Sequence, residues 1–308
     1  GPRGGAIPTS DLLPLFEVQY EQRADETNGG FRGAPKFPQS MGLMALMRSD
    51  LIRGTTRARE FVDSALEGMT SGGLYDHLEG GFHRYCVDEA WAVPHFEKML
   101  YDQAWITTAL LEASQFLHNP TYTRIAKQTL RFVEDQLTHP DGGFYSALDA
   151  ESVDPSTGRK LEGFYYTFSR DDLSQELLEV CPIVEGRVLL HRPTESGAKD
   201  LDRLLKIRKT HPRPGRDEKI IAAWNGWMIA TFCKAYEVTG EEGWLETAVK
   251  AWTFIKTELW IKGGLARRWS NSDTSIPGTS EDYAGVIQAA LSLYQATLDE
   301  TYLRDAVT

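Results

Sequence analysis

The sequence of 308 residues is poor in cysteine, with only Cys86, Cys181 and Cys233. These are odd in number, far apart and form no Cys-x-x-Cys pair, which excludes a zinc knuckle and a dithiol redox motif. At most one disulfide can form, so the usage fits a reducing compartment and favours a cytoplasmic location. Long apolar runs are also missing. The most apolar stretch, residues 220–233, is too short for a membrane span and carries Asn225. No signal-peptide pattern opens the chain: residues 1–6 are expected to be a linker or tag remnant, and residues 7–308 one domain. Basic charge is in deficit, 33 Lys and Arg against 44 Asp and Glu, which argues against nucleic acid or an anionic membrane as partner. The densest basic segment, residues 203–216, is broken by Pro212 and Pro214 and reads as a solvated linker. A Gly-x-Ser-x-Gly elbow, a phosphate-binding Gly-x-x-x-x-Gly-Lys loop and a dinucleotide fingerprint are all absent, which sets nucleotide and hydride chemistry aside.

What is present is a repeat. Three segments beginning near Asp102, Asn225 and Asp282 each carry a small polar residue beside aromatics, followed by apolar residues at helical spacing. A second helix follows at a fixed distance: Asp102 precedes Tyr122 by 20 residues, Asn225 precedes Trp244 by 19, and Asp282 precedes Tyr302 by 20. Gly-Gly-apolar turns recur at Gly29-Gly30-Phe31, Gly72-Gly73-Leu74, Gly80-Gly81-Phe82, Gly142-Gly143-Phe144 and Gly263-Gly264-Leu265. The unit is a helical hairpin plus a glycine-containing loop, and such a hairpin cannot bury its apolar face alone. The pattern predicts an all-α fold, an α/α toroid of hairpins that is either minimal or has part of its ring outside this chain, with short β pieces in its loops and an open solenoid as the alternative closure. The stretch 179–192 is short for a connection between such elements. Asp102, Asn225 and Asp282 are read as equivalent positions facing one polar central cavity.

The richest segment is GGLYDHLEGGFHRYCVDEAWAVPHFEKMLYD, residues 72–102. It combines His77, His83, His95, Arg84 and the carboxylates Asp76, Glu79, Asp88, Glu89, Glu97 and Asp102 with interleaved aromatics. Imidazole beside carboxylate suits acid–base chemistry near neutral pH, and aromatic faces beside carboxylates suit a sugar ring. Pro94 is expected to open a helix with proline in its first turn, which would put His95 and Glu97 on different sides. Asp76, Glu89 and His77 are expected to be structural. His83-x-x-Cys86 and His95-x-Glu97 resemble ligand pairs but complete no standard zinc spacing, so neither metal nor cofactor is expected. A second region pairs Asp149 with Glu151, two residues apart on one face of an extended segment, followed by Glu162. That pair fits glycoside hydrolysis and fits a solvated acidic loop equally well. A third region holds Trp224 and Asn225, the latter a polar residue inside an apolar helical run that must find partners or line a cavity.

At these residues the chain resembles the spermatogenesis-associated protein 20 family of thioredoxin domain-containing proteins. The long run above, extended through Gln103 and Ala104, matches its signature, and GAPKFPQ (33–39), ALDAES (147–152), EGFYYTF (162–168), DEKIIAAWNGWMI (217–229) and EDYAG (281–285) match further blocks in order. The resemblance implies an (α/α)6 toroid related to six-hairpin glycosidases and N-acylglucosamine 2-epimerases. It also implies an N-terminal thioredoxin-like domain in family members; no such segment is read here, so redox activity is not carried over. Three functions compete. The first is a cofactor-independent sugar isomerase or epimerase. In it His83 or His95 shuttles the proton, Arg84 polarises the carbonyl, Glu97 or Asp102 orients the imidazole, and Tyr85, Asp88, Trp91, Asp149, Glu151, Glu162, Trp224, Asn225 and Asp282 bind substrate. Against it, epimerases of the related fold place a catalytic histidine late in the chain, and here none follows His211. The second is a glycoside hydrolase with Asp88, Asp149, Glu151 and Glu162 as candidate carboxylates. The third is a toroid that binds a glycan or a protein partner without catalysis.

Overall fold

The computed structural model describes residues 12–192 and 197–307. Residues 1–6, expected as a linker, lie outside them. Helix α1 (Leu12–Arg23) precedes four helical hairpins: α2 (Ser40–Arg53) with α3 (Arg59–Ser71), α4 (Leu100–Phe116) with α5 (Pro120–Gln136), α8 (Ala222–Thr239) with α9 (Glu242–Phe254), and α10 (Ser280–Thr297) with α11 (Glu300–Val307). Two shorter helices, α6 (Gln175–Val180) and α7 (Leu201–Arg208), lie between the second and third hairpins. The first helices of the hairpins pack side by side in the order α2, α4, α8, α10. This is the hairpin arrangement of an (α/α)6 toroid.

Local chemistry accounts for the helix limits. Asn119 caps α5 by accepting the Thr121 amide at 3.1 Å, with Pro120 in the first turn where its missing N–H costs nothing. Gly240 closes α8 in the left-handed conformation. Helix α5 buries Tyr122, Ile125, Ala126, Thr129, Leu130 and Val133, the 3–4 spacing of one apolar stripe. The inner helices α4 and α8 are buried on most of their circumference, and no helix of the described chain is long and apolar enough to cross a membrane.

The loops before the inner helices are stapled by short antiparallel strands. Ala147–Leu148 lies between Lys98–Met99 and Arg216–Asp217; Tyr85–Cys86 pairs with Pro94–His95, Glu151–Val153 with Lys160–Glu162, and Ile220–Ile221 with Arg268–Trp269. This corrects one expectation. Pro94 does not start a helix: Pro94–His95 is a strand edge in register with Cys86 and Tyr85, and helix α4 begins at Leu100. The loop's backbone finds its partners across the chain, in Tyr85–Cys86 and at Arg84, whose amide donates to Glu97 at 2.9 Å. The short stretch 179–192 forms the end of α6 and an antiparallel pairing of Ile183–Val184 with Arg187–Leu189. It belongs to a small lobe with its own core of Phe168, Leu173, Leu177, Val188, Leu190 and Leu204.

A buried ionic cluster ties that lobe to the hairpins. Asp76 receives Lys98 at 2.9 Å and Arg208 of α7 at 2.5 Å, and all three are almost fully buried. Lys98 also donates to the Gly80 carbonyl at 2.8 Å. The two cations hold the Asp76 carboxyl far below the ordinary carboxylate range against the opposing effect of burial.

Candidate active site

The repeat has one residue of register that the sequence comparison missed. Gln103 is the fourth residue of α4, and its side chain binds the Phe82 backbone twice, accepting from N–H at 2.7 Å and donating to C=O at 2.8 Å. Asn225 is the fourth residue of α8 and treats Phe144 the same way, at 2.7 and 2.9 Å. Tyr283 is the fourth residue of α10, and its hydroxyl accepts from Leu265 N–H at 3.0 Å. Each of these three helices thus clamps the residue after a Gly-Gly pair. Asn225 therefore aligns with Gln103 and Tyr283, while Asp102 aligns with Trp224 and Asp282. Asn225 is fully buried against backbone rather than facing a cavity.

Several other expected site residues are structural. His83 is 1% exposed; its Nδ1 pairs with the Phe96 carbonyl at 2.9 Å, and the Phe96 and Tyr166 rings stand edge-on to it. Burial, reinforced by Lys98, holds its pKa well below the ordinary value, so the ring is neutral. Trp91 is core, with its indole N–H on the Gly29 carbonyl at 3.2 Å. Asp88 organises a turn by accepting the amides of Ala90, Ala92 and Val93 at 2.7–3.0 Å. Asp282 is fully buried: one oxygen receives the Ala223 amide, the other Thr279 and Arg267. Asp149 is exposed and accepts from the Glu151 amide at 3.3 Å. Glu151 stands opposite Glu162 on the neighbouring strand.

Two groups remain. In the first, residues 94–99 are not helical, and His95 and Glu97 come together, contrary to the helical expectation. His95 Nδ1 pairs with Glu162 at 2.7 Å, its Nε2 lies 3.7 Å from Glu97, and its ring stacks on Tyr85 at 5.0 Å. Arg84 donates to Glu97 at 3.1 Å and to the Tyr101 hydroxyl at 3.0 Å.

The second group is a cleft of about 440 Å³ between inner helices, lined by Pro38, Gln39, Ser40, Met41, Tyr101, Asp102, Trp105, Trp224, Trp227 and Glu281. Its aromatic wall is two rungs deep: Tyr101 meets Trp224 edge-on at 4.9 Å, and Trp105 meets Trp227 at 5.3 Å. Below them Thr108 and Thr231 share a hydrogen bond of 2.9 Å. Asp102 enters from the first turn of α4, and its Oδ2 is buried without a hydrogen-bond partner. Burial raises its pKa well above the ordinary value; Arg84 opposes this and Glu97 adds to it. Sequence reasoning found Asp102 and Trp224 here but missed Ser40, Trp105, Trp227 and Glu281. The signal for the two tryptophans was present: Trp105 follows Tyr101 by one helical turn, and Trp227 follows Trp224 by three residues.

No family model matches this chain. Spermatogenesis-associated protein 20 of Homo sapiens is 31% identical over 352 aligned positions, which take in 94% of this chain. The chain is a homologue of spermatogenesis-associated protein 20. It spans 45% of that human relative's length, and because the aligned positions outnumber the chain's own residues, the relative carries extra residues inside the matched region. Among solved structures, a GH76 alpha-mannanase of Bacteroides thetaiotaomicron superposes with TM-score 0.59 at 16% identity, over 96% of this chain and 68% of that one. An unsaturated glucuronyl hydrolase specific for heparin gives 0.58 at 12%, over 96% and 62%. At such identities the likeness speaks for the shared toroid fold, one that carries carbohydrate-processing enzymes.

Proposed function

We propose that this chain is the carbohydrate-processing unit of its protein and that it hydrolyses a glycosidic bond, with Asp102 as the general acid. One observation carries the reading: Asp102 stands at the wall of an aromatic cleft, and its Oδ2 is buried without a hydrogen-bond partner. A buried polar atom without a partner is rare in a folded protein. A protonated carboxyl near neutral pH is what departure of a sugar hydroxyl requires. The rings of Tyr101, Trp105, Trp224 and Trp227 offer flat apolar faces to sugar C–H groups, while Gln39, Ser40 and Glu281 offer hydrogen-bonding groups to hydroxyls.

Isomerisation through a histidine shuttle is less well supported. His83 is buried and bonded to backbone, and His95 lies between two carboxylates outside the cleft lining. Arg84 and Glu97 fit a supporting role, since Arg84 links Tyr101 of the cleft to Glu97.

The test is cleavage of 4-nitrophenyl α-D-mannopyranoside, mannobiose and unsaturated glucuronyl disaccharides by the wild-type chain and Asp102→Asn. Loss of a general acid lowers rates by about 10²–10⁴-fold, and the loss should be greatest for sugar leaving groups and small for the nitrophenyl glycoside. Cleavage of none of them, or an Asp102→Asn variant as fast as wild type on the disaccharides, overturns the reading.

A further inference from the structure

Resting on the hydrolytic reading, we infer that Glu281 is the second catalytic carboxylate, the base that activates water opposite Asp102. Hydrolysis with an acid alone leaves the nucleophile unassisted, so a second carboxylate has to stand in the same cleft, ionised and free to accept a proton. Most carboxylates near the cleft fail one of these conditions. Asp282 has both oxygens occupied and is fully buried. Glu97 is engaged by Arg84 and His95, and Glu162 by His95 and the Phe96 amide. Asp149 and Glu151 lie outside the cleft lining.

Glu281 meets all of them. It lines the cleft from the first turn of α10 and its side chain is 54% exposed. Its polar neighbour is the Arg267 guanidinium, 4.0 Å away, too far for a hydrogen bond. Arg267 is itself held by Thr279 and Asp282 at 3.1 and 3.2 Å.

The helix order sets the geometry. Asp102 is on α4 and Glu281 on α10, with α8 packed between them. The two carboxyls therefore reach the cleft from helices that are not neighbours. That favours a wide pair with room for a water, and hence inversion, over the close pair of a retaining enzyme. In the step, Glu281 takes a proton from water as its oxygen bonds to the anomeric carbon. The glycosidic C–O bond breaks, and the leaving oxygen takes the Asp102 proton.

The experiment uses Glu281→Gln with 2,4-dinitrophenyl α-D-mannopyranoside and 2,4-dinitrophenyl β-D-glucuronide, whose leaving groups need no acid. On the substrate that wild type cleaves, Glu281→Gln should lose at least about a hundredfold in rate. Added sodium azide, a nucleophile that needs no base, should restore the Glu281→Gln rate and yield a glycosyl azide. Proton NMR of the first wild-type product should show the inverted anomer. An unchanged melting temperature shows that the variant is folded, as expected for an exposed side chain with only a 4.0 Å ion contact. If wild type cleaves neither probe, the hydrolytic reading falls and this inference with it. If wild type cleaves a probe, the inference alone is overturned by any of three results: a Glu281→Gln rate within threefold of wild type, absence of azide rescue, or retention of configuration.

Discussion

Gln103 and Phe82 exchange two hydrogen bonds, side-chain amide to backbone amide, in a part of the molecule that water does not reach. The same exchange joins Asn225 to Phe144. Each pins a Gly-Gly loop to the start of an inner helix. Replacing Gln103 by Leu or Asn225 by Leu leaves a buried N–H and C=O unpaired, at about 1–3 kcal/mol for each group lost. Urea denaturation should show each variant at least about 2 kcal/mol less stable with an unchanged slope. A loss under about 0.5 kcal/mol would mean the loops hold without the clamp.

These clamps also show what was legible in the sequence. The hairpin repeat, the Gly-Gly turns and the toroid follow from local spacing, which a single chain displays openly. The cleft did not follow so readily. Asp102, Asn225 and Asp282 look alike in one dimension, but whether a side chain turns to a backbone loop or to a cavity is decided by packing across 20 to 80 residues. Gln103 was passed over beside the more conspicuous Asp102, and Glu281 beside Asp282. Pro94 misled because proline suits the first turn of a helix and equally the edge of a strand.

Asp102 should make the protein less stable as pH rises. Its folded pKa is raised by burial above the value it has in the unfolded chain. Below about pH 4 both states are protonated and the group is neutral in the balance. Above that the unfolded chain ionises first, releasing its proton while the folded chain retains it, and the penalty grows until the folded carboxyl also ionises. Each unit of raised pKa corresponds to about 1.4 kcal/mol. Asp102→Asn removes the effect, so its melting temperature should exceed that of wild type at pH 7 and approach it at pH 4. A constant difference across that range would contradict the buried protonated carboxyl.

The Asp76 cluster predicts the opposite slope at acid pH. Its folded pKa is depressed by Arg208 and Lys98, so its contribution is present above the ordinary carboxylate pKa and is lost as pH falls below about 4. Asp76→Asn strands two buried cations, and breaking such a cluster costs about 3–5 kcal/mol. The variant should be strongly destabilised at pH 7, with a gap to wild type that narrows as pH falls toward 2. Lys98→Met leaves Asp76 paired with Arg208 and should lose less. Equal losses in the two variants at pH 7 would contradict the assignment of Asp76 as the hub.

Helices α8 and α10 approach closely enough to fix where Glu281 lies relative to the rest of the cleft. A Cβ on Gly226 would stand 2.2 Å from the Gly285 carbonyl oxygen, and one on Gly285 would stand 2.7 Å from that of Ala223. Alanine favours a helix over glycine by about 1 kcal/mol, yet here its methyl group meets backbone that cannot rotate away. Overpacking of this kind costs about 1–3 kcal/mol or more, so Gly226→Ala should be a net loss despite the better propensity. Gly243, in the exposed first turn of α9, has nothing within 4 Å of its added Cβ, and Gly243→Ala should be neutral or stabilising by up to about 1 kcal/mol. The same methyl at two helical glycines thus separates backbone propensity from interhelical contact. On the proposed hydrolytic reading, Gly226→Ala should also slow glycoside cleavage more than its remaining folded fraction explains, because widening the α8–α10 contact shifts Glu281 relative to Asp102.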